Sequence, residues 1–174
     1  MKKVLYIYGY GSNENSGTRQ SLQNVLGSNY KVESIYYEQL QPNEAIEYLS
    51  NYVENNNFAA VIGSSLGGFY ALSIWQPDIP TIVINPCMKP SIELPKIGCP
   101  AEIAARFKDF EKWDNVKNVK KKVFGLFGTD DELIDYHCLF GKLFGTDSFS
   151  FFSSSHRPTE NQLLKVKDLI EKHI

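Results

Sequence analysis

The sequence has few cysteines, and their placement argues against disulfide and metal chemistry. Only three occur in 174 residues, at Cys87, Cys99 and Cys138, and no two have C-x-x-C spacing. Disulfide-rich secreted domains and structural zinc sites both depend on closely spaced cysteines. We therefore expect reduced thiols in a cytoplasmic protein, with no cofactor and no metal.

Long apolar runs and an excess of one charge are also missing. No stretch approaches the roughly 18 apolar residues that a membrane span needs. The N-terminal run Val4–Tyr8 is too short for an export signal and contains two tyrosines, so it predicts a first β-strand. A formal net charge of −2 gives no electrostatic reason to expect nucleic acid or an anionic membrane as a partner. The lysine cluster within residues 117–122 lacks interleaved aromatic residues and indicates a solvated approach to a strand.

The remaining composition is that of an ordinary globular protein. Hydrophobic residues make up 43% of the chain and charged residues 22%, which suffices for a buried core and a solvated surface. A chain of 174 residues usually forms one domain. We therefore predict a single domain over residues 1–174.

Apolar strand patterns alternate with helical patterns along the whole chain. The strands are apolar throughout, which is typical of a parallel sheet covered by helices on both faces. In such a sheet the carboxyl ends of all strands lie at one edge, where active sites form. About six strands are predicted, over residues 4–8, 31–37, 59–63, 81–86, 122–128 and 149–152. Helices are predicted from Ser16 or Thr18 to Leu26, from Pro42 to Val53, from Leu66 to about Trp75, over 101–113, over 136–143, and after a capping box at Thr159–Gln162.

The third predicted strand leads directly into a turn of small residues. The run Ala59–Ile62 ends at Gly63, and a helical pattern begins at Leu66. Only Ser65 has glycine both two residues before and two residues after it, in the order Gly-x-Ser-x-Gly. That order is typical of a strand-to-helix turn that exposes a nucleophilic serine. Ordinary turns between a buried strand and a helix have a similar composition. Whether Ser65 is a nucleophile or an ordinary turn residue therefore depends on the rest of the chain.

Two further polar features follow later strands. Asp130 and Asp131 come after the fifth strand, and His156 comes after the sixth. The chain order Ser, Asp, His is that of α/β-hydrolases. A serine hydroxyl needs a base to take its proton, and the imidazole needs a carboxylate to orient it. We predict Ser65 as the nucleophile, His156 as the base and Asp131 as the acid.

Other residues compete for the last two roles. His137 lies within a helical pattern and His173 stands next to the C-terminal residue, so position favours His156. Asp130, Glu132 and Asp135 compete with Asp131 for the role of the acid. The apolar residues that follow Asp131 favour it, although aspartates in this position also serve as turn and cap residues.

The oxyanion formed by attack of the serine needs two backbone N–H donors. One is the N–H of Leu66, directly after the serine, and the other is predicted to be that of Tyr10 in the loop after the first strand. The glycines Gly9 and Gly11 around Tyr10 also raise the possibility of a dinucleotide-binding loop. Its third glycine would fall at position 14, which is Glu14, so that fingerprint fails.

These motifs together resemble the small YqiA/YcfP-type esterases within the α/β-hydrolases. The similar stretches run in family order along nearly the whole chain, and the most specific are Gly-Ser-Ser-Leu-Gly-Gly and Asp-Glu-x-x-Asp-Tyr. The matching segments are Leu5–Tyr10, Gln39–Pro42, Gly63–Ala71, Ile84–Pro86, Asp131–Tyr136 and His156.

The resemblance implies an α/β-hydrolase fold with a minimal cap or none. It implies a serine esterase or thioesterase in which Ser65, Asp131 and His156 act on small acyl esters or thioesters. The chain departs from the family at Tyr8, where the family usually has histidine, and at Ser154–Ser155, where the family has glycines.

Several alternatives remain open from the sequence, among them a peptidase or an acyltransferase that uses the same three residues. Residues 87–120 occupy the interval where this fold often carries a lid, and Phe107, Phe110 and Trp113 could line an acyl pocket or form the buried face of a covering helix. The protein could also be a binding or regulatory protein on a hydrolase scaffold, because a fold does not by itself define a function. The oligomeric state is not predicted.

Overall fold

A computed structural model describes residues 1–113 and 122–174 and shows one parallel sheet. Its six strands follow the order β2-β1-β3-β4-β5-β6, and every neighbouring pair is parallel. The predicted α/β architecture is confirmed. The strands are β1 (Lys2–Ile7), β2 (Tyr30–Glu33), β3 (Phe58–Ser64), β4 (Thr81–Ile84), β5 (Val123–Gly128) and β6 (Phe149–Phe152).

Helices surround the sheet, and α1 packs against α7 while α2 packs against α3. No helix among the described residues is long and apolar enough to cross a membrane. The helices are α1 (Gly17–Leu26), α2 (Pro42–Glu54), α3 (Leu66–Ser73), α4 (Pro90–Glu93), α5 (Ala101–Ala104), α6 (His137–Phe144) and α7 (Glu160–His173), with 3₁₀ turns at Leu94–Ile97, Ala105–Phe110 and Thr146–Ser148.

Two helices, α1 and α7, begin at caps that the sequence indicates. Of the two candidates for the start of α1, Ser16 is the cap, because its side chain accepts a hydrogen bond from the N–H of Arg19. The capping box of α7 is present between Thr159 and Gln162. Each cap satisfies backbone N–H groups that the helix leaves without a partner.

The strand predicted over residues 31–37 is shorter, since β2 ends at Glu33. Beyond it the chain leaves the sheet but stays in contact with the end of β1. The Ser34 hydroxyl donates to the carbonyl of Tyr6 at 2.7 Å, and the buried Tyr37 donates its hydroxyl to the carbonyl of Tyr8 at 2.6 Å. Side-chain bonds to the end of β1 therefore replace further strand pairing.

The helix predicted over residues 101–113 is also shorter, because α5 ends at Ala104 and continues as a 3₁₀ turn. Phe107 is fully buried and packs edge-on against Phe69 at 5.4 Å between ring centroids. The Trp113 indole N–H donates to the carbonyl of Met88 at 2.9 Å. Phe107 and Trp113 therefore belong to the core that covers α3.

The lysine cluster lies mostly beyond the described residues, which do not include residues 117–121. Its last member, Lys122, directly precedes β5 and donates to the carbonyl of Asp78 at 3.1 Å.

Candidate active site

Ser65 is the single residue between the end of β3 and the start of α3. Its backbone has φ +53° and ψ −122°, a conformation that side-chain-bearing residues rarely adopt. Neighbouring backbone keeps it there. The Ser65 N–H donates to the carbonyl of Ile84 at 3.0 Å, and its carbonyl accepts from the N–H of Cys87 at 2.9 Å. These two hydrogen bonds therefore hold the turn against the end of β4, with Ser65 at the edge of the sheet.

The glycines that flank Ser65 are required by close backbone approach. A Cβ atom at Gly67 would lie 2.0 Å from the carbonyl oxygen of Ile7, and one at Gly63 would lie 2.2 Å from the carbonyl oxygen of Gly67. Real Cβ contacts are never so short, so any larger residue would push α3 away from β1 and β3. Both glycines therefore leave the space that the chain needs to turn tightly around Ser65.

Ser65, His156 and Asp131 form a continuous chain of hydrogen bonds. His156 Nε2 lies 2.9 Å from Ser65 Oγ, and His156 Nδ1 lies 2.9 Å from Asp131 Oδ2. The histidine side chain is 16% exposed and the aspartate side chain 3% exposed. The structure thus brings together the three side chains that were predicted from strand ends far apart in sequence.

Asp131 is arranged to stay ionised. Burial alone raises the pKa of its carboxyl, but hydrogen bonds from the His156 imidazole and from the N–H groups of Ile134 and Leu133 outweigh burial and lower the pKa below its usual value. Those N–H groups lie 3.0 and 2.9 Å from Asp131 Oδ1. One carboxylate oxygen is therefore fixed by the backbone while the other faces the imidazole, which favours the tautomer with a proton on Nδ1.

The competing acids make other contacts. Asp130 lies near the hydroxyls of Thr129 and Ser153, at 3.3 and 3.5 Å. Glu132 accepts from the backbone N–H of His156 at 3.3 Å and so touches the main chain of the loop, not the imidazole. Asp135 contacts His137 at the start of α6.

The competing histidines lie elsewhere. His137 contacts Asp135, as just described, and the His173 ring packs in a tilted arrangement against Phe124, with 4.7 Å between ring centroids, near the end of α7. Neither contacts Ser65, whereas His156 does.

Asn85 supports the His156 loop, a role that the sequence analysis did not assign. Its amide Nδ2 donates to the carbonyls of Ser155 and His156 at 3.2 and 3.0 Å, and its Oδ1 accepts from the N–H of Gly128 at 2.7 Å. The residue is 2% exposed and has φ +44°. Asparagine tolerates that backbone conformation, and an Asn-Pro pair directly after a buried strand was the signal that could have found it.

The loop after β1 packs directly on the serine. A Cβ atom at Gly9 would lie 3.1 Å from Ser65 Cβ, so this backbone runs alongside the nucleophile. Gln39 supports the loop, because its Nε2 donates to the carbonyl of Gly9 at 2.9 Å and its Oε1 accepts from the N–H of Gly11 at 3.1 Å. The departure at Tyr8 is accommodated by packing, with its ring 5.0 Å from that of Tyr37.

A cavity of about 590 Å³ opens beside Ser65 and His156. Eight of the fifteen described residues that line it bear hydroxyl groups, and its aliphatic lining residues are Pro158 and Leu163. Phe107, Phe110 and Trp113 do not line it. Among residues 1–113 and 122–174, no three His, Cys, Asp or Glu side chains are grouped to hold a metal ion. The hydroxyl-bearing lining residues are Tyr6, Tyr10, Ser12, Ser16, Thr18, Ser21, Ser64 and Ser65.

Known structures share this fold along almost the full chain. Est1E from Butyrivibrio proteoclasticus, solved with ferulic acid bound, is 15% identical with a TM-score of 0.70, over 99% of this chain and 87% of that chain. Alpha/beta hydrolase domain-containing protein 10 from mouse is 16% identical with a TM-score of 0.70, over 98% and 90%. An esterase domain from a Rhodothermus marinus protein is 16% identical with a TM-score of 0.67, over 98% and 84%.

The strand order, the turn at Ser65 and these neighbours define an α/β-hydrolase fold. A family model described as "Uncharacterised protein family (UPF0227)" matches residues 3–144. The chain belongs to this family, the YcfP/YqiA family, so the resemblance seen in the sequence is confirmed. The matched residues include Ser65 and Asp131 and end before His156.

Proposed function

We propose that this protein is a serine hydrolase that cleaves small acyl esters through an acyl-enzyme on Ser65. The observation that carries the proposal is the hydrogen-bonded chain from Ser65 Oγ through His156 to Asp131, with 2.9 Å at each step. This constellation turns a poor nucleophile into an effective one, because the imidazole takes the hydroxyl proton as the bond to carbon forms. The esterase and hydrolase neighbours support the same class of reaction.

Acylation begins with attack of Ser65 Oγ on the ester carbonyl carbon. His156 Nε2 takes the hydroxyl proton, and the carbonyl oxygen becomes an oxyanion. The tetrahedral intermediate then collapses, the bond to the leaving alcohol breaks, and that alcohol takes the proton from His156. Water repeats the sequence on the acyl-enzyme, releasing the acid and restoring the serine. Asp131 stabilises the imidazolium in both halves and does not itself take the proton.

Two backbone N–H groups are proposed to stabilise the oxyanion. Leu66 is the first residue of α3, so its N–H points out of the helix start beside Ser65. Tyr10 lines the same cavity as Ser65, on the loop that Gln39 supports. Donors of this kind contribute about 3–4 kcal/mol each to transition-state stabilisation.

A series of p-nitrophenyl esters tests the function and the size of the acyl group. Because the cavity wall is rich in hydroxyls, we expect acetate and butyrate esters to give higher kcat/KM than decanoate. A fluorophosphonate probe should label the protein stoichiometrically, with the label on Ser65. A protein that neither hydrolyses any ester of the series nor takes up the probe would instead be a binding protein on a hydrolase scaffold.

Asn85→Ala is expected to lower kcat about 100-fold with little change in KM, because a small displacement of a catalytic group has effects of that size. The variant loses the amide that ties the His156 loop to Gly128. Steady-state kinetics and the fluorophosphonate labelling rate measure the effect. Asn51→Ala, an exposed position on α2, is the control and should match wild type. An Asn85→Ala protein with reduced thermal stability but unchanged kcat would show that Asn85 does not position the histidine.

A further inference from the structure

A second cluster of a nucleophile, a base and an acid lies at the start of α6, away from Ser65. Cys138 Sγ lies 3.2 Å from His137 Nε2, and His137 Nδ1 lies 2.5 Å from Asp135 Oδ1. The same aspartate oxygen also accepts from the backbone N–H of His137 at 3.2 Å. The three residues are close in sequence and are not used by the proposed hydrolytic mechanism.

The His137 ring is held in a defined orientation. It packs edge-on against Phe151 at 5.0 Å, with Phe127 and Phe149 within about 6.3 Å between ring centroids. Asp135 Oδ1 accepts a hydrogen bond from His137 Nδ1, which favours the tautomer with the ring proton on Nδ1. Nε2 is then free to accept the thiol proton of Cys138.

The three cysteines differ sharply in access. Cys87 and Cys99 are buried, at 4% and 3% exposed, whereas Cys138 is exposed. Burial raises the pKa of the Cys87 thiol, as do the charges of Glu93 and Glu111, and burial also raises the pKa of the Cys99 thiol. Buried thiols of this kind are inert, while an exposed thiol beside a base reacts. Cys138 is the second residue of α6.

We propose that Cys138 is a reactive surface thiol, activated by His137, that forms a reversible mixed disulfide with low-molecular-mass disulfides. His137 Nε2 takes the thiol proton, and Cys138 Sγ attacks one sulfur of the disulfide. The sulfur–sulfur bond of the disulfide breaks, and the departing thiolate takes the proton from His137. Cys138 is oxidised to the mixed disulfide while one molecule of thiol is released, and a second thiol reverses the step.

Incubation of the folded protein with oxidised glutathione, followed by intact-mass measurement and peptide mapping, tests the proposal. We expect a single adduct on Cys138 that dithiothreitol removes, and no fast adduct in Cys138→Ser. His137→Phe keeps a ring against Phe151 but cannot accept a proton, and it should slow the reaction about tenfold. Asp135→Asn should slow it less.

Two controls separate this site from the rest of the molecule. His173→Phe removes a histidine near the C-terminus and should react at the wild-type rate. Ser65→Ala should also react at that rate, so failure of the proposed hydrolase function leaves this test intact. The proposal is overturned if the first adduct maps to Cys87 or Cys99. It is equally overturned if folded His137→Phe and Asp135→Asn, checked by circular dichroism, both react as fast as wild type.

Discussion

Ser65→Ala is expected to remove ester hydrolysis almost completely, lowering kcat by about 10⁵-fold or more. The hydroxyl that would form the acyl-enzyme is the atom that lies 2.9 Å from His156 Nε2. Without it, His156 would have no nucleophile to deprotonate, and the cavity would keep only its contacts to the substrate and the proposed oxyanion donors. Steady-state hydrolysis of p-nitrophenyl acetate measures the loss, and mass spectrometry after fluorophosphonate treatment should find no adduct.

The neighbouring serine makes this test specific. Ser64 is buried and its Oγ lies 2.7 Å from the Tyr6 hydroxyl, so it points to a different partner. Ser64→Ala should still take up the fluorophosphonate on Ser65. Ser73→Ala, on the far end of α3, loses only a bond to the carbonyl of Phe69 and should hydrolyse like wild type. Equal labelling of wild type and Ser65→Ala, at any residue, would show that the nucleophile has been misassigned.

Asp131→Asn is expected to lower kcat by about 10⁴-fold while the fold is retained. The amide has nearly the same size as the carboxyl, but its nitrogen offers no acceptor to the Nδ1–H of His156 and no charge to stabilise the imidazolium. Two backbone N–H groups still find an acceptor in the amide oxygen, since they bind Oδ1. The ratio of kcat between variant and wild type, together with the rate of fluorophosphonate labelling, measures the effect.

Asp130→Asn provides the matched control. Among the described residues its carboxylate hydrogen-bonds to the hydroxyls of Thr129 and Ser153, and it lies one residue from Asp131. We expect the kcat of Asp130→Asn to stay within about threefold of wild type. Surface substitutions outside a buried hydrogen-bond network usually have small effects. If Asp130→Asn and Asp131→Asn lost activity to the same extent, the assignment of Asp131 as the acid of the triad would be wrong.

The elements of the fold were predictable where the pattern is local and continuous. The strand over 149–152 is read from an apolar run, and the helix beginning at Pro42 from a proline at its first position and a periodic apolar face. Both elements lie where they were predicted. β2 was predicted too long because Ile35–Tyr37 continue an apolar pattern. Their departure from the sheet depends on bonds to the end of β1, which no local pattern records.

In the candidate site, too, local features were predictable and features that depend on distant residues were not. The strained turn at Ser65 was predictable because glycines at fixed offsets mark a turn with no room for side chains. The Asn-Pro pair marks Asn85 as a residue at a strand end, but its role was not predictable, because its three partners lie about 40 to 70 residues away in sequence. Support of the loop after β1 by Gln39 is equally non-local.

The sequence by itself determined the alternation of strands and helices, the parallel sheet and the turn that presents Ser65, because backbone preference and apolar periodicity act over short distances. Only the tertiary structure decided which of four acids meets the imidazole and which of three histidines meets the serine. Those choices depend on where loops after β5 and β6 converge at the sheet edge. That convergence is produced by packing of distant segments, including the amide of Asn85 that joins the two loops.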